Sequence, residues 1–407
     1  KINLFERILI VLTGYLILPA AISLPYYFNI DSLGLINCYF EAISGFTSTG
    51  FTIFNDLNQL DQAIILWRSS SQWIGGLYFL FSIILLINIL DNNLKKSLTN
   101  FLSFNEAEYL KQSLKVFFIY ILLTIFIFLI LKFINFRNFD ALNFSMSIIA
   151  SGGFKSVNEI DALLNNDFKI IIFSSLLLLS FFSIFLIYNL IFHRLKFLNY
   201  FTEDFYLLIY LITISFILFI FFSKNNFSYI FLSITSSVSN IGFYFSDNNN
   251  YNLSFIFLIL VIIGGSFFST SSGIRFFKIF TLFRFSINNL LSHTKPKQIL
   301  LSKVKFDQTQ INYDVINKYF LTIIIFILSL SLITTLLTFS GINFIEALKL
   351  GILSIMNTVN SSLFGLENFD FQENSFFSKL IILIFMIIGR VEFLTIIILF
   401  KKYLFKG

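Results

Sequence analysis

Apolar residues run along this chain in eight long blocks, and inside each successive pair lies a shorter, half-apolar block ending in Ser, Thr, Asn and Gly. The long blocks lie at about Phe5 to Phe28, Ile64 to Leu90, Val116 to Phe136, Phe168 to Phe192, Phe205 to Phe222, Leu253 to Phe283, Tyr319 to Phe339 and Phe376 to Leu399. A bilayer core of roughly 30 Å takes about 20 apolar residues to cross as helix, so each block predicts a membrane span. The short blocks, Leu35 to Phe54, Asn138 to Val157, Asn226 to Phe245 and Asn343 to Leu366, hold too few apolar residues to cross. They predict re-entrant helices followed by extended backbone, which is tolerated at membrane depth only beside water or buried in protein.

The unit of span, short helix with polar tail, and span therefore recurs four times. We divide the chain into repeat 1 at 1–92, repeat 2 at 110–197, repeat 3 at 203–290 with an intramembrane loop at 264–274, and repeat 4 at 315–407. Repeats of this kind imply pseudo-symmetry about a shared site. The expected fold is an all-α integral membrane protein in which four such repeats surround one central pore.

Composition agrees: 57% of the 407 residues are hydrophobic and 12% charged. The net charge of +6 reports topology rather than nucleic acid, because Lys and Arg gather on one side. Lys95, Lys96, Lys111, Lys295, Lys297, Lys401 and Lys402 are on that side, and Asp56, Asp61, Glu159, Asp370 and Glu373 accompany the short blocks on the other. The termini are thus expected in the cytoplasm. The basic connection from Ser286 to Asn317 then faces inward and could dock a cytoplasmic subunit. One cysteine, Cys38, excludes an internal disulfide and a Cys-rich metal site, and two histidines leave little for a zinc centre. No span shows a catalytic motif, so no enzyme and no bound cofactor are expected. The 59 Phe residues are spread over every span with Ile, Leu and Asn, which reads as codon bias, not an aromatic cofactor site.

Aligned on their own residues, the short blocks read Ser48-Thr49-Gly50-Phe51, Ser151-Gly152-Gly153-Phe154, Asn240-Ile241-Gly242-Phe243 and Ser361-Ser362-Leu363-Phe364. Three carry Gly-Phe at one point. Glycine there has a physical reason, since backbone that turns successive carbonyls inward uses angles a Cβ opposes. Rings of carbonyls replace the hydration shell of a monovalent cation. Acidic residues near the helix starts, in Phe40-Glu41-Ala42, Phe139-Asp140-Ala141 and Ile345-Glu346-Ala347, suit helix N-termini, and the negative C-terminal ends then point at the polar tails.

Further motifs extend the pattern. These are Trp67-Arg68-Ser69-Ser70-Ser71-Gln72-Trp73-Ile74-Gly75-Gly76, the run from Gly264 to Arg275, and Ile387-Ile388-Gly389-Arg390-Val391-Glu392-Phe393. With the loops, they make the chain resemble the Trk/Ktr superfamily of potassium uptake proteins over nearly its whole length, most closely the Trk-type membrane subunit. The resemblance implies a gated potassium pore in a bacterial cytoplasmic membrane, a homodimer, and a cytoplasmic nucleotide-binding regulatory subunit. Carried over residue by residue, K+ binds at Ser48, Thr49, Gly50, Ser151, Gly152, Gly153, Asn240, Ile241, Gly242, Ser361, Ser362 and Leu363. Two departures stand out. Leu363 takes a glycine position, with Gly365 two residues on, so either the filter is asymmetric or the register shifts by two. The family's extra N-terminal hairpin is also missing ahead of the first span, lost or outside this sequence.

Gly264, Gly265, Ser266, Ser269, Thr270, Ser271 and Gly273 interrupt an otherwise apolar helix, which predicts a break near mid-membrane. The resemblance makes that break a gating flap beneath the filter; the plain alternative is a kinked helix packed through small residues. Arg390, inside the last span, must face protein or water, because an unpaired cation there costs about 2.5 to 3.5 kcal/mol on insertion scales. It is expected to form the gate with the flap, or else to pair with a carboxylate on another helix. Arg68 and Lys278 read as interfacial anchors by snorkelling, and His193 has no assigned role. A symporter coupling K+ to Na+ or H+ is the alternative function, with Glu392 as its candidate carboxylate.

Overall fold

The computed structural model describes residues 3–30, 33–90, 109–158, 160, 163–192, 202–221, 226–244, 254–294, 304–306, 309–311, 313–366 and 369–391. Fourteen helices appear among them, and they follow the four repeats in chain order. Repeat 1 holds α1 (Leu4–Asn29), the short helix α2 (Leu35–Phe46) and α3 (Gln62–Leu90). Repeat 2 holds α4 (Tyr109–Phe133), the short α5 (Asn138–Ile149), α6 (Asp167–Leu177) and α7 (Ile184–Phe192). In repeat 3 come α8 (Thr202–Phe221), the short α9 (Phe227–Val238), α10 (Ser254–Ile262) and α11 (Phe276–Thr294), and in repeat 4 α12 (Tyr313–Phe339), the short α13 (Phe344–Ile355) and α14 (Phe376–Val391). The repeat limits at 92, 197 and 407 lie outside the described residues, as do His193 and Glu392.

Among the described residues five helices, α1, α3, α4, α8 and α12, are long and apolar enough to cross a membrane unbroken. They differ in what they face. Only 22% of the apolar window of α8 and of α12 is buried in the protein, against 67% for α3, so α8 and α12 present their side chains outward and α3 lies inside. Aromatic rings knit the inner layer: Phe144 of α5 meets Phe243, just past α9, edge-on at 5.8 Å, and Phe173 of α6 stands between them.

The expected span from Phe168 to Phe192 is not one helix. It breaks between α6 and α7, and the freed backbone groups are satisfied by repeat 3: Ser266 and Ser271 donate their amides to the carbonyls of Phe181 and Ser180, and Ile184 donates to Phe268. Ser183 donates its amide to Asp204 Oδ1 at 2.9 Å. Two short strand pairs complete the architecture. Ile263–Gly264 pairs in parallel with Ile274–Arg275, and Val304–Phe306 pairs antiparallel with Thr309–Ile311 within the basic connection.

Candidate functional site

Helices α2, α5, α9 and α13 each run twelve residues, and each ends in one backbone figure. Two residues past the last helical residue stands a left-handed residue: Ser48 (φ 56°), Ser151 (φ 53°), Asn240 (φ 61°) and Asn357 (φ 47°). The next amide, of Thr49, Gly152, Ile241 or Thr358, donates back to the carbonyl of Ser44, Ser147, Ser236 or Leu353 at 2.8 to 3.1 Å. After it come Gly50 (φ 82°), Gly153 (φ 83°) and Gly242 (φ 75°) in loops 1 to 3, and Val359 in loop 4.

The four loops close into a ring. A Cβ on Gly50 would lie 2.6 Å from the Gly152 carbonyl oxygen, one on Gly153 2.5 Å from that of Ile241, and one on Gly242 3.1 Å from that of Val359. Asn240 Nδ2 donates to Thr358 Oγ1 at 3.1 Å and Asn357 Nδ2 to Thr49 Oγ1 at 3.0 Å, joining loop 3 to loop 4 and loop 4 back to loop 1. Left-handed φ and this crowding both exclude a side chain from the three glycines. Four helix C-termini meet at the ring, and their partial negative charge favours a cation there.

Beyond the ring opens a cavity of about 520 Å³, whose lining includes Gly50, Gly153, Val359, Asn158 and Asp370. At its rim Asp56 accepts from Asn158 Nδ2 at 2.7 Å and from the Asn58 amide at 2.9 Å, and these bonds hold its carboxyl below the usual carboxylate range.

A buried ion pair braces loop 1. Arg68 Nε of α3 donates to Glu41 Oε1 of α2 at 2.8 Å. Thr52 Oγ1 and the Ile53 amide, on the segment leaving the ring, donate to the same carboxylate at 3.1 and 3.0 Å. The Arg68 guanidinium also donates to Thr52 at 2.9 Å and lies 4.2 Å from the ring centre of Phe154 in loop 2. One turn further along α3, Gln72 Oε1 accepts the Phe154 amide at 3.2 Å.

On the opposite side of the ring lies the flap, the non-helical stretch 263–275 between α10 and α11. A Cβ on Gly264 would overlap the Ser272 carbonyl, and one on Gly265 that of Phe181. Arg275 Nη1 holds the flap folded by donating to the Ser266 carbonyl, Ser269 Oγ and the Ser271 carbonyl at 3.0 to 3.1 Å. Thr270 reaches loop 2: its hydroxyl donates to the Ile149 carbonyl at 2.7 Å, and its carbonyl accepts from Ser151 Oγ at 2.9 Å. Arg390, 1% exposed, donates through Nη1 to Ser272 Oγ and through Nη2 to Ser48 Oγ at 3.4 Å, over the ring of Phe79 at 4.0 Å. One guanidinium thus bridges the 263–275 stretch and loop 1.

Comparison with known proteins bears on this arrangement. Residues 224–406 match the family model described as TrkH, cation transport protein. An uncharacterized cation transporter of Methanocaldococcus jannaschii is 25% identical over 94% of this chain and 80% of its own length. The Trk system potassium uptake protein TrkH of Salmonella typhimurium is 30% identical over 169 residues, which span 37% of this chain and 33% of that protein. The crystal structure of the potassium transporter TrkH from Vibrio parahaemolyticus covers 97% of this chain and 84% of its own at a TM-score of 0.82 and 20% identity, a likeness of fold. The family pattern is thus present in residues 224–406, and nearly the whole chain has the fold of that crystal structure.

Several sequence expectations change. Loop 4 meets the ring through Asn357, Thr358 and Val359, not through Ser361, Ser362 and Leu363, because register is set by distance from the helix end and not by the Phe that follows. Ser362 to Phe364 form a separate 3-10 turn, closed by Gly365 in the left-handed region (φ 66°). Neither Leu363 nor Gly365 therefore occupies the glycine position. Arg68 and Lys278 are 1% and 5% exposed, which rules out snorkelling for both. Glu41 lies at mid-helix against Arg68, whereas Asp140 and Glu346 do sit in first turns. Gln72 and Asn357 went unsingled in the sequence. Their signals were the polar run 68–72 in an apolar span and a count of residues from the start of each short helix.

Proposed function

We propose that this chain is the translocating subunit of a Trk-type potassium uptake system, passing partly dehydrated K+ down its electrochemical gradient across a bacterial cytoplasmic membrane. It works as a transporter with no catalytic step, as a homodimer carrying a cytoplasmic nucleotide-binding regulatory subunit. The ring of four helix C-termini and left-handed loops carries the reading: backbone oxygens there substitute for ion hydration, and no side-chain charge is needed to attract a cation. Below the ring, Arg390 and the flap form the barrier. The guanidinium repels an approaching cation, and the flap holds it in place through Ser272. Opening breaks the Arg390 bonds to Ser272 and Ser48 and swings the flap from Ile149 and Ser151.

The test is Rb+ tracer uptake into proteoliposomes containing the purified chain under an inside-negative potential. Uptake by the wild type and its loss in Gly242→Val are expected, because the added side chain would collide with Val359 in a left-handed backbone. Equal measurable uptake in the two proteins would overturn the reading.

A further inference from the structure

Val359 takes the ring position that glycine fills in the other three loops, and its side chain points into the ring. The space each glycine Cβ would claim is bordered by Val359: its Cβ lies 3.1 Å from the Cβ position of Gly50, 3.1 Å from that of Gly153, and its Cγ1 2.5 Å from that of Gly242. The order of loops around the ring makes this decisive. Loop 1 touches loops 2 and 4, and loop 3 touches loops 2 and 4, so loop 2 stands across the ring from loop 4. A side chain of loop 4 that reaches Gly50, Gly242 and also Gly153 on the far side stands on the axis.

From this, and resting on the cation-pore reading above, we infer that Val359 is the residue that limits throughput and selectivity in this filter. A carbonyl ring accepts a dehydrated cation because oxygens replace its water; two methyl groups on the axis supply no ligand and take the space. Rotation about χ1 does not clear the path, since the Cβ itself is on the axis and a β-branched side chain has few rotamers. Loop 4 must shift for an ion to pass. It is held by Asn357 Nδ2, which donates to Thr49 Oγ1 at 3.0 Å and to the Met386 carbonyl at 2.8 Å, and by Thr358, which accepts from Asn240. The ion-binding level at Gly50, Gly153 and Gly242 is therefore three-quarters formed and capped by an apolar side chain.

The experiment compares the full chain with Val359→Gly and Val359→Ala. Rb+ flux is read in proteoliposomes, and the thermal midpoint of the detergent-solubilised protein is read in K+ and in choline. Val359→Gly is expected to raise flux by about tenfold or more, the change a barrier lower by about 1.4 kcal/mol produces. Val359→Ala should fall between, and K+ should raise the midpoint more in Val359→Gly than in the wild type. If Val359→Gly does not fold, a higher flux in Val359→Ala supports the inference, and a flux at or below wild type overturns it. A conducting wild type whose flux neither variant raises would overturn the inference alone. If no protein passes Rb+ and K+ stabilises none of them, the cation-pore reading fails and takes the inference with it.

Discussion

Arg68 and Glu41 are 2% and 0% exposed at their side chains, so each would carry a naked charge through the protein interior without the other. Between them they hold α2, α3 and the segment leaving loop 1, and Phe154 stacked on the guanidinium extends the brace to loop 2. Glu41→Ala leaves the arginine buried beside no carboxylate. Its expected cost is about 3 to 5 kcal/mol, read as a lower thermal midpoint together with reduced Rb+ uptake. The double variant Glu41→Met with Arg68→Met should recover much of the stability, and a Glu41→Ala protein as stable as wild type would show that the pair braces nothing. At this scale the sequence was legible wherever a residue type has one purpose. Glycines followed by Phe marked three ring positions, since few other residues accept that backbone. Val359 escaped because a valine in an apolar segment looks like core, and Leu363-Phe364 offered a better match by residue identity. Twelve-residue helices of equal length, each with its ring residue four past the last helical residue, identify it unambiguously.

Among elements, the flap was legible and its partner was not. Gly264, Gly265 and Gly273 within an apolar run state that a helix is interrupted, whatever the fold. The break between α6 and α7 lies in an apolar stretch with only Ser180 and Ser183 to mark it, and its cause is remote: flap amides claim the carbonyls of Ser180 and Phe181. No local pattern encodes a hydrogen bond to a segment so distant in the chain. Arg390 was recognisable as a cation needing a partner, and of the two expectations for it the described contacts are with the hydroxyls of Ser272 and Ser48 and an aromatic ring, not with a carboxylate. Arg390→Ala removes both the positive charge under the ring and the tether on Ser272. Basal Rb+ flux in the absence of any regulatory subunit should rise by about tenfold, equivalent to about 1.4 kcal/mol of barrier. Flux that stays at the wild-type level would mean that the barrier lies elsewhere.

For the whole molecule, the fourfold order is strict in backbone and loose in side chains. Helix length, the left-handed residue and the returning amide recur in every repeat, while Ser48, Ser151, Asn240 and Asn357 fill one position with two residue types. Such a division suits a site whose ligands are carbonyls, since backbone shape is then the property to be preserved. It also explains why periodicity of hydrophobic blocks exposed the repeats at once, whereas the ring itself needed three dimensions: contacts such as Asn357 to Thr49 join opposite ends of the chain. The central claim is that these loops make one cation-selective path. Its most direct test is the reversal potential of the purified chain in a planar bilayer with K+ on one side and an equal concentration of Na+ on the other. The account predicts a potential displaced toward K+ equilibrium, moving with the K+ gradient and indifferent to pH. A reversal potential at zero, or one that follows the proton gradient, would contradict it.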